Sequence, residues 1–241
     1  MNEYELMVFD EVEEWRRKMW RKSGMISRLS KKTQKRLNGF IPEKFHHFIT
    51  ESIKTMIKVT LFGSQVTTNR NQAMGLSLAE KDELVEKKIS FYQKAALVEG
   101  AGTGAGGLLI GMTDFPLLLT IKMRFLFEAA AIYGFDRSEY EERLFILYIF
   151  QLAFSSDSTR RNTLYIIENW EEKKTQLADL DWREFQQEYR DYIDLAKLLQ
   201  LVPWIGAVVG GYANHHLMKH LGNTAKNAYR LRILKTPPST F

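Results

Sequence analysis

Residues 144–154 read LFILYIFQLAF, eleven residues that are apolar except for Gln151. As a helix this run is about 16 Å long, roughly half the thickness of a bilayer core, so it is too short to span one. Apolar on every side, it fits a central helix buried all round by other helices. Asp136 and Glu139 just upstream have capping-box spacing, which predicts a helix from there to Phe154.

Working outward, the same periodicity recurs. Tyr4, Val8, Val12, Trp15 and Met19 stand at steps of 4, 4, 3 and 4, the apolar stripe of a helix that Ser23-Gly24 should end. A short basic helix is expected through Met25, Leu29 and Leu37. Pro42 suits a first helical turn, and Phe45, Phe48, Ile49, Ser52, Ile53, Met56, Ile57 and Thr60 then trace one face up to Gly63. Ser77 with Glu80 is a capping box for a helix ending near Val98, and Asp181 with Glu184 opens another through Trp182, Phe185, Tyr189 and Tyr192. No stretch alternates with period two over a strand's length. The fold is read as all-α: a single helical domain with two Gly-rich apolar helical hairpins packed around a central hydrophobic helix. Residues 1–63 form basic amphipathic N-terminal helices, 64–77 a polar loop, 78–236 the helical core and 237–241 a disordered tail.

The Gly-rich segments are 98–121 (VEGAGTGAGGLLIGMTDFPLLLTI) and 198–212 (LLQLVPWIGAVVGGY). The first holds six of the fifteen glycines between Gly100 and Gly111. Each costs about 1 kcal/mol relative to Ala inside a helix, so the run needs a reason. Small-xxx-small spacing lets backbones approach closely, and three readings stay open: tight packing in a soluble core, shallow membrane insertion, or a mobile loop. Asp114 before Phe115-Pro116 reads as the N-cap of a new helix, leaving too few residues before it to cross a bilayer. Gly104, Gly107, Gly111, Asp114, Gly206 and Gly210 are therefore assigned to a helix-packing or buried site. At an offset of 100 residues Gly106 meets Gly206, Gly111 meets Gly211, Asp114 meets Asn214 and Leu117 meets Leu217, a pattern compatible with an internal duplication.

Charge is distributed unevenly. The chain of 241 residues carries a net +5, but residues 15–44 alone hold eleven Lys or Arg against Glu43. Trp15, Arg16, Arg17, Lys18, Trp20, Arg21 and Lys22 combine basic and amphipathic side chains, which suits an anionic membrane surface or an acidic partner. No helix-turn-helix, RNP or zinc-finger pattern accompanies them, which argues against nucleic acid. Residues 1–14 hold six acids and no base, so no secretory signal is expected there. The absence of cysteine excludes disulfides and thiolate chemistry and fits a reducing, cytoplasmic setting.

Catalytic groups do not assemble in the sequence. His216 and His220 share a helix face, but Leu217 stands where an H-E-x-x-H motif has its glutamate, so they read as surface histidines, as do His46 and His47. Gly102, Gly104 and Gly107 satisfy G-x-G-x-x-G, yet helical residues precede them where a dinucleotide site needs a strand. No G-x-S-x-G elbow occurs. Neither a cofactor nor a metal is expected.

The run VEGAGTGAGGLLIGMTDFPLLL, followed by a helix ending in Tyr133-Gly134-Phe135-Asp136, resembles the EcsC family. The acidic-then-basic start and the stretch PEKFHHFITESIK extend the resemblance over nearly the whole chain. Members are encoded beside EcsA and EcsB, the subunits of an ABC transporter linked to secretion and competence. The resemblance implies a non-enzymatic accessory protein at the cytoplasmic membrane face, with EcsA and EcsB as possible partners; it supplies no catalytic residues. The alternative is a protein or enzyme that binds lipids or other apolar ligands. An apolar cavity of several hundred Å³ near Asp114 would favour that alternative.

Overall fold

The computed structural model describes residues 2–21, 43–63, 73–103, 107–155, 157–178 and 207–235. Side chains are described for 2–21, 47–63, 73–96, 115–155, 159–178 and 214–234. Among these residues there are eight helices and no β-strand. They are α1 (Glu3–Trp20), α2 (Glu43–Phe62), α3 (Leu78–Thr103), α4 (Gly107–Tyr133), α5 (Tyr140–Phe154), α6 (Asp157–Glu168), α7 (Trp170–Ala178) and α8 (Ala207–Lys235).

The central-helix reading holds. Every residue of α5 from Leu144 to Phe154 is buried, Gln151 included, which receives a hydrogen bond from Thr163 Oγ1 at 3.1 Å. No helix among the described residues is long and apolar enough to cross a membrane. Around α5 the most extensive packing is between α3 and α8, with α4 against α3, α2 across α4 and α5, and α1 along α8. The stripe foreseen in α1 is the one it buries: Val8 and Val12 are sealed in the core, with Tyr4, Trp15 and Met19 packed at its edge. Asn2 and Glu5 cap the start of α1 reciprocally, and Arg160 donates to the carbonyls of Met19 and Arg21 at its end.

Other caps depart from expectation. Ser77 and Glu80 form their capping box, Ser77 N donating to Glu80 Oε2 at 2.8 Å, but α3 runs past Val98 to Thr103. Asp136 does not cap α5; its Oδ1 receives the backbone N–H and hydroxyl of Ser138 in a local turn, and Glu139 occupies the N-cap position without a side-chain bond. Asp114 is not an N-cap either. Helix α4 already begins at Gly107 and passes through both Asp114 and Pro116. Pro116 removes one backbone donor, but a single missing bond in a 27-residue helix packed on α3 and α2 does not end it. The Tyr133-Gly134-Phe135 turn is a Schellman end. Gly134 at φ +96 donates to Ala131 O, and Phe135 donates to Ala130 O.

Gly104 and Gly206 lie outside the described residues, while Gly107, Gly111 and Gly210 lie within α4 and α8. A tight helix crossing does exist, at a glycine not singled out from the sequence. A Cβ on Gly222 of α8 would meet Ile89 Cγ1 of α3 at 2.6 Å and Cδ1 at 2.8 Å. Ile89 is sealed in the core and cannot swing away. Gly222→Leu is expected to overpack this crossing by about 1–3 kcal/mol, lowering the melting temperature by roughly 2–12 °C. Lys219→Leu, at an exposed position of the same helix, should leave it within a degree or two, and equal melts for the two variants would refute the crossing.

Candidate functional site

Helices α2 and α4 do not close fully on each other. Ile49, Ile53 and Ile57 turn inward to the core, which leaves Phe48, Ser52, Met56, Val59 and Thr60 facing the neighbouring helix at steps of 4, 4, 3 and 1. On α4 the opposing wall is Pro116, Leu119, Thr120, Met123 and Phe127. Between them runs a groove of about 890 Å³, within the ~300–1,000 Å³ span of small-molecule sites. It begins two residues beyond Asp114, whose own side chain lies outside the described residues.

The groove's polar atoms are mostly spoken for. Ser52 Oγ donates to Phe48 O at 2.9 Å and Thr120 Oγ1 to Pro116 O at 2.8 Å, so both hydroxyls are turned onto their own helices. Glu51 pairs with Lys54, and Glu128 receives Tyr92 OH at 2.8 Å and faces Lys88 Nζ at 2.9 Å. Burial, helped by that carboxylate, raises the Tyr92 hydroxyl well above its ordinary range. Arg137 donates to Phe127 O at 3.3 Å. Arg143 donates to Leu61 O and Gly63 O at 2.9 and 3.0 Å, fixing the end of α2 where the groove stops. Arg124 differs: it is exposed on the groove and has no hydrogen bond or ion pair among the described residues.

Behind the groove lies a buried polar network that sequence reading missed. Asp82 accepts from Tyr133 OH at 2.6 Å, Tyr4 OH at 2.8 Å and Arg230 Nε at 3.0 Å. Arg230 also reaches Glu11 at 2.8 Å, so one carboxylate and one guanidinium tie α1, α3, α4 and α8 together. Glu142 accepts from Tyr229 OH at 2.8 Å and from Arg232, which donates onward to Glu171 at 2.8 Å. The Arg232 guanidinium lies 4.1 Å from the Phe135 ring centre and 4.8 Å from that of Phe145. Tyr133 stacks on Tyr229 at 5.3 Å and links the two clusters. Burial raises both tyrosine hydroxyls well above their ordinary range, and pushes the Glu142 carboxyl up to about 7 against the pull of Arg232. These groups satisfy one another and none lines the groove, which is how a structural network reads.

The basic end of α1 divides in two. Trp15 is packed at the core edge, and Arg16 donates to Glu168 at 2.7 Å, a carboxylate only 7% exposed, which ties α1 to α6. That bond, against the opposing effect of burial, raises the Arg16 guanidinium further. Trp20 Nε1 shares the same Glu168 oxygen at 3.2 Å while its ring stays 40% exposed. Lys18 pairs with Glu14 on the surface, Arg17 and Arg21 are exposed, and Lys22 lies outside the described residues. His216 and His220 are surface residues as expected, and the described residues include no cluster of three groups able to hold a metal ion.

Comparison with known proteins gives concordant results. The family model of the EcsC protein family matches residues 7–234. A curated relative from Bacillus subtilis (strain 168), Protein EcsC, is 51% identical over 229 residues, covering 95% of this chain and 96% of that protein. A second, the uncharacterized protein YdbA of the same organism, is 32% identical over 155 residues, 63% of this chain and 57% of its own length. No solved structure matches significantly.

Proposed function

The chain belongs to the EcsC protein family, and from that premise we propose that it is a non-enzymatic accessory protein that works at the cytoplasmic membrane face beside an Ecs-type ABC transporter. The observation that carries the membrane part is the end of α1, where Arg17, Arg21 and the Trp20 ring are exposed together with Lys18. Basic groups of this kind add about 1 kcal/mol each on an anionic surface, and a tryptophan ring suits the interface. Attachment would be peripheral, since no described helix can span.

The protein is expected to float with vesicles containing phosphatidylglycerol and to stay behind with purely zwitterionic ones. Changing Arg17, Lys18 and Arg21 to Gln removes about 3 kcal/mol and should weaken binding roughly a hundredfold. Arg16 is left in place because its partner Glu168 is buried. Raised salt should weaken the parent's binding by screening. Equal flotation with zwitterionic vesicles would sink the electrostatic mechanism. An affinity pull-down from membranes, with EcsA and EcsB identified among the captured proteins, tests the transporter part.

A second reading, a binding protein for apolar ligands, is favoured by the groove between α2 and α4.

A further inference from the structure

Resting on that second reading, we infer that the α2–α4 groove binds a long-chain fatty acid as its anion, with the hydrocarbon chain between the helices and the carboxylate on Arg124. Shape selects the chain. The groove follows α2 from Phe48 to Gly63 and α4 from Pro116 to Glu128, a path of roughly 20 Å at 1.5 Å per residue, which suits a narrow flexible ligand better than a compact ring system. The walls select it too. Met56, Leu119 and Met123 are buried at the base and Val59 is 63% exposed at the edge, and methionines adapt to a chain of variable conformation. With Ser52 and Thr120 turned back on their own carbonyls, these hydroxyls are already satisfied and do not call for a polar ligand.

Charge selects the head. Glu51 and Glu128 on the lining already face Lys54, or Lys88 and Tyr92. Of the two cations on the lining, Arg137 is buried and donates to Phe127 O. Arg124 is exposed beside Tyr92 with no hydrogen bond or ion pair among the described residues, so its guanidinium is the charge open to a ligand. Its planar fork matches a carboxylate in two parallel hydrogen bonds.

The test is titration calorimetry of the full chain with dodecanoate, tetradecanoate and hexadecanoate, each below its critical micelle concentration, and with hexadecanol. Affinity should rise about fourfold per added methylene while the groove still has room. Arg124→Gln should weaken hexadecanoate about tenfold or more and leave hexadecanol unchanged. Thr120 is exposed, so Thr120→Trp can fill the groove without disturbing the core and should abolish binding of both. If hexadecanoate does not bind the parent, this inference falls, and the apolar-ligand reading falls with it only when the groove holds neither hexadecanol nor phosphatidylglycerol vesicles. If it binds but Arg124→Gln is silent and hexadecanol binds equally, the anionic head is wrong while the apolar reading stands. Binding that survives Thr120→Trp would place the ligand elsewhere and overturn the groove assignment. Capture of phosphatidylglycerol vesicles, lost in Thr120→Trp but without binding of free hexadecanoate, would assign the groove to a membrane lipid and refute the free acid.

Discussion

Asp82→Ala is expected to lower the melting temperature by roughly 6–20 °C, the largest effect of any single change outside the apolar core. Asp82 is only 3% exposed and serves three donors at once, Tyr4, Tyr133 and Arg230. Removing it strands Arg230, 4% exposed, with the half-exposed Glu11 as its remaining anion, and leaves the sealed Tyr133 hydroxyl without its acceptor. Breaking one side of a buried ion pair typically costs about 3–5 kcal/mol, because the surviving charge stays desolvated. For a chain of this length each kcal/mol is worth roughly 2–4 °C. Replacing both partners, as in Asp82→Leu with Arg230→Met, should recover most of the loss, since no charge is then left behind. Asp82→Asn should fall between, keeping an acceptor for Tyr133 while forfeiting the charge. Thermal melts of the four proteins decide it. A double variant that melts no higher than Asp82→Ala would mean the site contributes through shape rather than charge.

This network exposes what the sequence could and could not convey. The helices were legible because burial imposes the 3.6-residue period, and Val8, Val12 and the whole Leu144–Phe154 run sit where that period puts them. Asp82 was in fact visible by the same rule: Leu78, Asp82, Val85 and Ile89 stand at steps of 4, 3 and 4, so an acid occupies a core position of α3. Its partners were not visible, because Arg230 is 148 residues away and only packing brings α8 to α3. Glu142 was hidden differently, since it stands beside Glu139 and Glu141 at the start of its helix, where acids are ordinary. Caps fared unevenly for a local reason. Capping-box spacing recurs at both Ser77 and Asp136, but only backbone geometry decides whether the side chain reaches the helix or its own turn. The groove was anticipated only as a possibility near Asp114, since the gap depends on how α2 crosses α4.

Glu142 supplies the pH dependence. It is 3% exposed beneath Arg232, Tyr229 and Glu171, and burial outweighs the two donors to hold its carboxyl at about 7, against an ordinary 4.5. The folded protein therefore keeps this proton more tightly than the unfolded chain does. The stability it contributes is fully present below about pH 4.5 and is lost as the pH rises through about 7, a change of about 3 kcal/mol. Arg232 remains charged throughout, stacked over Phe135 and Phe145 and still paired with Glu171. Glu142→Gln copies the neutral acid in shape and still accepts from Tyr229, but does not titrate. Other carboxylates contribute nearly equally to both proteins, so the difference between their melts isolates Glu142. From pH 5 to pH 8, about 2.5 kcal/mol of this is lost, and the parent's melting temperature should fall relative to the variant's by roughly 5–10 °C. A difference that stays constant over that range would mean the carboxylate is ionised throughout, with attraction to Arg232 prevailing over burial. In that case Glu142→Gln would be the less stable protein by the same margin at every pH, because it discards a charge the fold had already accommodated.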